Sequence, residues 1–286
     1  MPSCEPAMND TTTDPTRILH GIDFSGNHEM WTPGCGDSKV WIATAEMQRD
    51  MLRLAELRPV QHLPGSAHPF ERLIVLLRLG DYCAAAIDAP FSLPARHLPE
   101  GGWLTLLRDV ERFPKAERPF ATGADLVAYA QQNAPLEKKK PLRKTEQAWA
   151  TRGVSIRSTL WNGPRPGAPF TVACLTLLAK AKRPVWPWTQ ADRGLLVEAF
   201  PAGQLQDWGL EHQGYSESGP ARDRILKEVS RRIDIPGPLY RCCRGNADAL
   251  DAVLCLFAAK AAVEGQATVE DPAAATREGW IATHPG

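Results

Sequence analysis

One stretch of the sequence constrains the fold more than any other. Residues 82–87 read YCAAAI, are apolar at every position, and are followed directly by Asp88-Ala-Pro. A strand with one solvent-exposed face alternates polar and apolar residues, whereas a continuously apolar strand must be covered on both faces. The run therefore predicts a central, partly parallel strand in an α/β fold, with helices on both sides of the sheet.

Apolar runs elsewhere predict four further strands and six main helices. The strands are expected at residues 18–24, 39–47, 51–60 and 195–200. The helices are expected at residues 69–79, 102–112, 124–132, 169–182, 222–233 and 247–263. Because three of these helices separate the fourth and fifth strands, we interpret residues 91–193 as a helical insertion in a single domain over residues 17–286.

The charge balance and the cysteine pattern exclude several classes of protein. Lys and Arg number 33 and Asp and Glu number 33, so the chain lacks the strong positive charge of a protein held on nucleic acid by bulk charge. No apolar run reaches the ~18 residues of a membrane span. Residues 1–16 lack the apolar core of a signal peptide and are predicted to be a disordered tail. Seven scattered cysteines without a CxxC pair favour reduced thiols, hence a cytoplasmic protein.

Five acidic residues interrupt, end or begin apolar elements. Asp23 lies in GIDFSG, Asp88 ends the run over 82–87, and Glu198 interrupts LLVEAF. Asp248 and Asp251 are three residues apart at the start of a helix and share one face of it. Converging carboxylates repel each other, and burying them costs free energy unless a cation pairs with them. Mg²⁺ or Mn²⁺, which prefer oxygen ligands, would relieve that repulsion, as in a two-metal phosphodiesterase site.

Each of these acids also has a structural interpretation. Asp23, which is followed by a serine and a glycine, can close a turn, and Asp88 can end its strand before a proline. Glu198 can face solvent at a sheet edge, and Asn246 or Asp248 can cap the helix. Position by position, both interpretations stay open. The order of strand Asp, strand Asp, strand Glu and helix DxxD favours the functional one.

A basic segment supplies candidate contacts to substrate. Residues 137–157 contain seven basic residues and two acidic ones, which is typical of a phosphate-binding loop or of a solvated, flexible run. Aromatic residues follow, as a base-stacking surface requires, although Trp and Phe are more often core residues. The candidate substrate-binding residues are Ser25, Lys140, Arg143, Lys144, Arg152 and Arg157.

Four blocks of the sequence resemble a known family. GIDFSG, IDAPFSLP, VEAFPAG and NADALDAVLCLFAAKAA are similar to the signature blocks of the domain of unknown function 429 family, predicted nucleases with a ribonuclease H-like fold. The resemblance implies a mixed five-stranded sheet in the order 3-2-1-4-5, flanked by helices. It places Asp23 on the first strand, Asp88 at the end of the fourth, and Asp248 with Asp251 on the last helix. Glu198 is outside the acidic quartet that the superfamily usually requires.

Together these observations predict a metal-dependent nuclease or phosphodiesterase. Asp23, Asp88, Asp248 and Asp251 would hold two Mg²⁺ or Mn²⁺ ions, Glu198 would complete the catalytic acids, and water would attack the phosphorus of a nucleic acid or another phosphoester. One alternative is an actin-like phosphotransferase that binds ATP, because Asp-x-Ser-Gly is similar to the phosphate loop of actin-like sugar kinases. The other is a non-catalytic binding protein whose acids form structural pairs.

Overall fold

The structure, a computed structural model, describes residues 17–48, 51–136 and 140–286. The predicted tail over residues 1–16 lies outside these residues. Within the described ranges the chain forms one six-stranded sheet, ten α-helices and four short 3-10 helices. The prediction of an α/β fold is confirmed. No helix in these ranges is long and apolar enough to cross a membrane.

The bounds of the elements follow the apolar runs closely in most places. The strands are β1 (Arg17–Asp23), β2 (Trp41–Gln48), β3 (Met51–Pro59), β4 (Ala84–Asp88), β5 (Leu195–Glu198) and β6 (Ile233–Asp234). The α-helices are α1 (Pro69–Leu79), α2 (Gly102–Val110), α3 (Gly123–Asn133), α4 (Lys144–Thr151), α5 (Ala168–Ala181), α6 (Pro201–Asp207), α7 (Gly219–Val229), α8 (Gly237–Gly245), α9 (Ala247–Val263) and α10 (Pro272–Glu278). Four helices therefore lie between β4 and β5, and the description of this segment as an insertion in one domain stays a prediction.

The sheet has a mixed topology, in the order β5-β4-β1-β2-β3-β6. β1, β2 and β3 are antiparallel neighbours, whereas β4 is parallel to β1 and β5 is parallel to β4. The prediction of five strands in the order 3-2-1-4-5 is wrong, because β6 adds a sixth strand parallel to β3. Two residues are too few to show a strand period, and the sequence pattern assigned Ile233 to the preceding helix, which ends at Val229.

Both faces of the sheet are covered, as the continuous apolar strand requires. On β4, Ala85 and Ile87 join a hydrophobic cluster with α1, α2, α3 and α5, whereas Ala84 and Ala86 join a second cluster with α6, α7 and α9. All four residues are fully buried. The alternation of side chains along one strand thus places it in two cores at once.

Helix α9 packs on β1 with almost no space between the two backbones. A Cβ atom on Gly21 would lie 2.1 Å from the carbonyl oxygen of Ala252, so only glycine fits at this point of β1. The small residues of α9 allow the same close approach from the helix side. The prediction that the acidic pair lies on the last helix is wrong, since α10 follows α9.

Candidate functional site

Asp23 and Asp88 lie side by side at the carboxyl ends of two neighbouring parallel strands. Residues 23 and 88 are register partners in the β1–β4 pair. Asp23 is 7% exposed and Asp88 is half-buried. Both residues line a cleft of about 450 Å³. The edge of the sheet formed by the strand ends is where open α/β sheets place their ligands.

The amino-terminal turn of α9 brings two more carboxyl groups to this cleft. The side chain of Asn246 caps the helix by accepting a hydrogen bond from a first-turn backbone N–H at 3.1 Å, so Asn246, and not Asp248, is the cap. The carboxylate of Asp248 instead lies 3.3 Å from Nζ of Lys39. Asp251 accepts a hydrogen bond of 2.7 Å from the hydroxyl of Tyr215. Both acids line the cleft, so the predicted convergence of strand acids and helix acids is observed.

Burial and mutual repulsion raise the pKa values of three of these carboxyl groups. Burial raises the pKa of Asp23 well above its ordinary value, and the charges of its three acidic neighbours raise it further. The pKa of Asp251 is raised by burial and by the charge of Asp88, against the opposing hydrogen bond from Tyr215. Burial raises the pKa of Asp88 to about 7 although the charge of Arg157 acts in the opposite direction.

Little positive charge balances this acidic cluster of Asp23, Asp88, Asp248 and Asp251. Among the described residues, Lys39 is the only cation in an ion pair with any of the four. The nearby negative charges in turn outweigh the effect of burial on Lys39 and raise its pKa. An additional cation would therefore favour the ionised form of the cluster.

The donor chemistry of the cluster suits a hard divalent cation, but the side chains do not preform its site. Carboxylate oxygens are the ligands that Mg²⁺ and Mn²⁺ prefer. Within the part of the chain that the structure describes, no group of three or more His, Cys, Asp or Glu side chains is arranged so that it could hold a metal ion. Metal binding by the cluster would thus require its carboxylates to rotate towards each other.

Glu198 lies in the wall of the same cleft but is already paired. Arg143 donates from Nη1 to Oε2 of Glu198 at 2.8 Å and from Nη2 to Oε1. The backbone N–H of Phe91 also donates to Oε2, at 3.0 Å. The interpretation of Glu198 as a solvent-facing residue is wrong, since it is 2% exposed although β5 is an edge strand. Both oxygens accept hydrogen bonds from the protein, and the catalytic role of Glu198 stays a prediction.

Arg143 is the centre of a buried group that we call the ion triad, formed by Glu146, Arg143 and Glu198. Nε of Arg143 donates to Glu146 at 2.9 Å, and the arginine is 1% exposed. The guanidinium also donates from Nη1 to the backbone oxygen of Glu278 at 3.3 Å, and Arg143 lines the cleft, so that its contact with substrate stays a prediction. The triad connects the segment before α4 to β5 and so fixes one wall of the cleft.

Two other predicted substrate-binding residues do line the cleft. Arg157 is exposed, and its guanidinium lies 4.9 Å from the ring centroid of Phe170. Ser25 is buried, and its hydroxyl accepts a hydrogen bond from the backbone N–H of Asn27 at 3.2 Å. Arg157 thus provides an accessible positive charge at the rim of an acidic cleft.

The remaining predicted contacts lie outside the cleft. Lys140 lies over the ring of Trp161 at 4.9 Å, and Arg152 is paired with Asp207. Lys144 is exposed and does not line the cleft. Residues 137–139 of the basic segment lie outside the described residues. The described part of the segment is therefore split between the triad, the cleft rim and the surface.

Sequence reasoning missed Lys39, Glu146 and Tyr215. Lys39 and Tyr215 act through partners on α9, and the contact between Tyr215 and Asp251 joins residues 36 positions apart. No local pattern marks these two residues. For Glu146 the sequence does offer a signal, which is its spacing of three residues from Arg143 at the start of α4.

Comparison with protein families places this site in context. The family model described as a protein of unknown function (DUF429) matches residues 21–275. The chain belongs to the DUF429 family. The match spans all four residues of the acidic cluster and confirms the resemblance noted in the sequence. Searches among curated proteins and among solved structures return no match.

Proposed function

We propose that this DUF429 protein is a metal-dependent phosphodiesterase that acts on nucleic acid or another phosphoester. The observation that carries the proposal is the acidic cluster. Its four carboxyl groups line one cleft, three of them have raised pKa values, and Lys39 is their one described ion-pair partner. Such uncompensated acids at one site are expected where a cation or a proton transfer is needed.

We further propose that the fold is ribonuclease H-like. What supports this is the combination of three antiparallel strands, β1 to β3, with β4 and β5 added in parallel beyond β1. The acids at the ends of β1 and β4 lie where the resemblance places them, whereas Asp248 and Asp251 lie on α9, the last helix but one. The sixth strand, β6, is a local addition at the edge of the sheet opposite to β5. In the strand order, β2 and β3 separate it from β1, which carries Asp23.

The acidic cluster would hold Mg²⁺ or Mn²⁺. Bound there, such an ion would supply a Lewis acid for the phosphoryl oxygens and lower the pKa of a water molecule. Asp23 and Asp88 are held by the sheet, and Tyr215 orients Asp251. Arg157 would bind a phosphate oxygen at the rim, where an exposed guanidinium can form charge-assisted hydrogen bonds.

Glu198 is a positioning residue in this account. Its Oε2 accepts from the N–H of Phe91, three residues after Asp88, and so holds the turn that follows β4. Arg143 supplies the positive charge that pairs with the buried carboxyl group of Glu198. The pair therefore acts on the site through the backbone next to Asp88.

The test is a hydrolysis assay with single-stranded DNA, single-stranded RNA and bis(p-nitrophenyl) phosphate, in Mn²⁺ and in EDTA. We expect the wild-type protein to cleave at least one of them in Mn²⁺ alone. Asp23→Asn should lower the rate of hydrolysis at least about 100-fold. Mutation of a residue that only hydrogen-bonds a metal ligand already lowers activity by up to about 100-fold. Asp192→Asn, at an exposed position outside the cleft, is the matched control. Equal rates for Asp23→Asn and Asp192→Asn, or no cleavage by wild type, would refute the proposal.

A further inference from the structure

A second cavity of about 450 Å³ adjoins the acidic cleft. Ser25 and Phe170 line both spaces, so the two spaces are neighbours. Its other walls include Phe120, Pro166 and Pro169. The volume is in the range of small-molecule sites, and an apolar wall of this kind is typical of them.

The walls of this second cavity are held in place by close backbone packing. A Cβ atom on Gly26 would lie 2.3 Å from the backbone nitrogen of Phe170, which joins the loop after β1 to the start of α5. A Cβ atom on Gly123 would lie 2.8 Å from Cδ of Pro169. Hydrogen bonds in both directions between Thr122 and the third residue of α3 fix the start of that helix. The cavity is therefore part of the folded framework.

The second cavity is also lined by polar side chains. Asn27, Asn162 and Arg118 are exposed and His28 is half-buried, and all four line the cavity. Such groups can hydrogen-bond the edge of a ring while the walls contact its faces. A nucleobase presents this combination of a flat π-face and a hydrogen-bonding edge. A phosphate group has no apolar face that could pack against such walls.

We propose that the second cavity is a nucleobase subsite, which receives the base next to the phosphodiester bound in the acidic cleft. This inference rests on the proposed function and narrows its substrate to nucleotidyl phosphodiesters. Arg157 lies over Phe170 and lines the cleft but not the second cavity. A base on one side of Phe170 and a phosphate near Arg157 on the other would match the two halves of one nucleotide.

Two measurements test this subsite. The first is ligand-observed NMR titration of the protein in EDTA with adenosine and with thymidine, and with 2-deoxyribose as the blank. The second, in Mn²⁺, is kcat/KM for a thymidine dinucleotide against the same molecule lacking one base. Ala124→Trp fills the cavity from an exposed position on α3, and Gln132→Trp adds the same bulk at an exposed position outside it. Thermal melting checks that both variants fold.

We expect wild type and Gln132→Trp to bind both nucleosides, and Ala124→Trp to bind them at least about 10-fold more weakly, since stacking on one base is worth that much. The same variant should lose the preference for the complete dinucleotide. No nucleoside binding, or equal binding by Ala124→Trp, would overturn the subsite even if the dinucleotide is cleaved. Nucleoside binding that Ala124→Trp abolishes, with no cleavage of any substrate, would retain the subsite and refute the phosphodiesterase.

Discussion

Replacement of Arg143 by methionine is expected to destabilise the protein by about 3–5 kcal/mol, the cost of removing one partner from a buried ion pair. The guanidinium donates to Glu146 at 2.9 Å and to Glu198 at 2.8 Å, and all three residues are at most 2% exposed. Among the described residues neither glutamate has another ion-pair partner. Methionine keeps the volume of the side chain but leaves two carboxylates buried without a cation.

The loss should depend on pH with a definite sign. Burial raises the pKa of Glu146 to about 7 even with Arg143 present, so without the arginine the carboxyl group takes up a proton more readily. Protonation removes the buried charge, and the destabilisation should therefore be smaller at pH 5 than at pH 8. Adding Glu198→Gln to Arg143→Met should recover part of the loss at pH 8, because one of the two stranded charges is gone.

Urea denaturation followed by tryptophan fluorescence measures these free energies of unfolding. Lys144→Met is the matched control, because it removes one positive charge at the adjacent, exposed position. It should change stability by less than about 0.5 kcal/mol. If Arg143→Met costs no more than Lys144→Met, or if its cost is the same at pH 5 and pH 8, the reasoning about the ion triad is refuted.

Three further changes test the framework of the site. Between about pH 4 and pH 7 the metal-free protein should lose stability as pH rises, because burial raises the pKa of Asp88 from 3.8 to about 7 and the folded state keeps a proton that the unfolded state has released. Melting temperatures of wild type and Asp88→Asn across this range should diverge, and parallel curves would count against the raised pKa. Gly21→Ala should cost more than the ~1–3 kcal/mol of ordinary overpacking, since its Cβ would meet the backbone of Ala252 at 2.1 Å; a loss below 1 kcal/mol in urea would show that α9 can move away from β1. Asn246→Ala should cost about 1 kcal/mol by removing the cap of α9, and an unchanged unfolding midpoint would contradict that role.

The long, regular elements could be predicted from the sequence because their patterns are local. Helices α1 and α9 have the predicted bounds, 69–79 and 247–263, and the apolar run before Asp88 does lie between two cores. The missed elements are short or polar. Helix α4 begins in the basic segment, and β6 has two residues, so neither shows a hydrophobic period.

The sequence predicted the carboxylates of the site together with Ser25 and Arg157 at its walls, but not the partners of these residues. Asp23 and Asp88 end apolar strands, which the sequence displays directly. The partner of Glu198 could not be predicted, because Arg143 lies 55 residues away and looked like one more cation in a basic run. The second cavity depends on contacts among the loop after β1, α3 and α5, and its residues, such as Phe120 and Asn162, share no sequence pattern.

The most direct test of the account is an anomalous difference map from crystals of the wild-type protein soaked in Mn²⁺. The account predicts two peaks about 4 Å apart in the cleft, with the carboxylates of Asp23, Asp88, Asp248 and Asp251 turned towards them. Lys39 should then no longer pair with Asp248. A map at saturating Mn²⁺ with no peak beside any of these four carboxylates would contradict the proposal that the acidic cluster is a metal site.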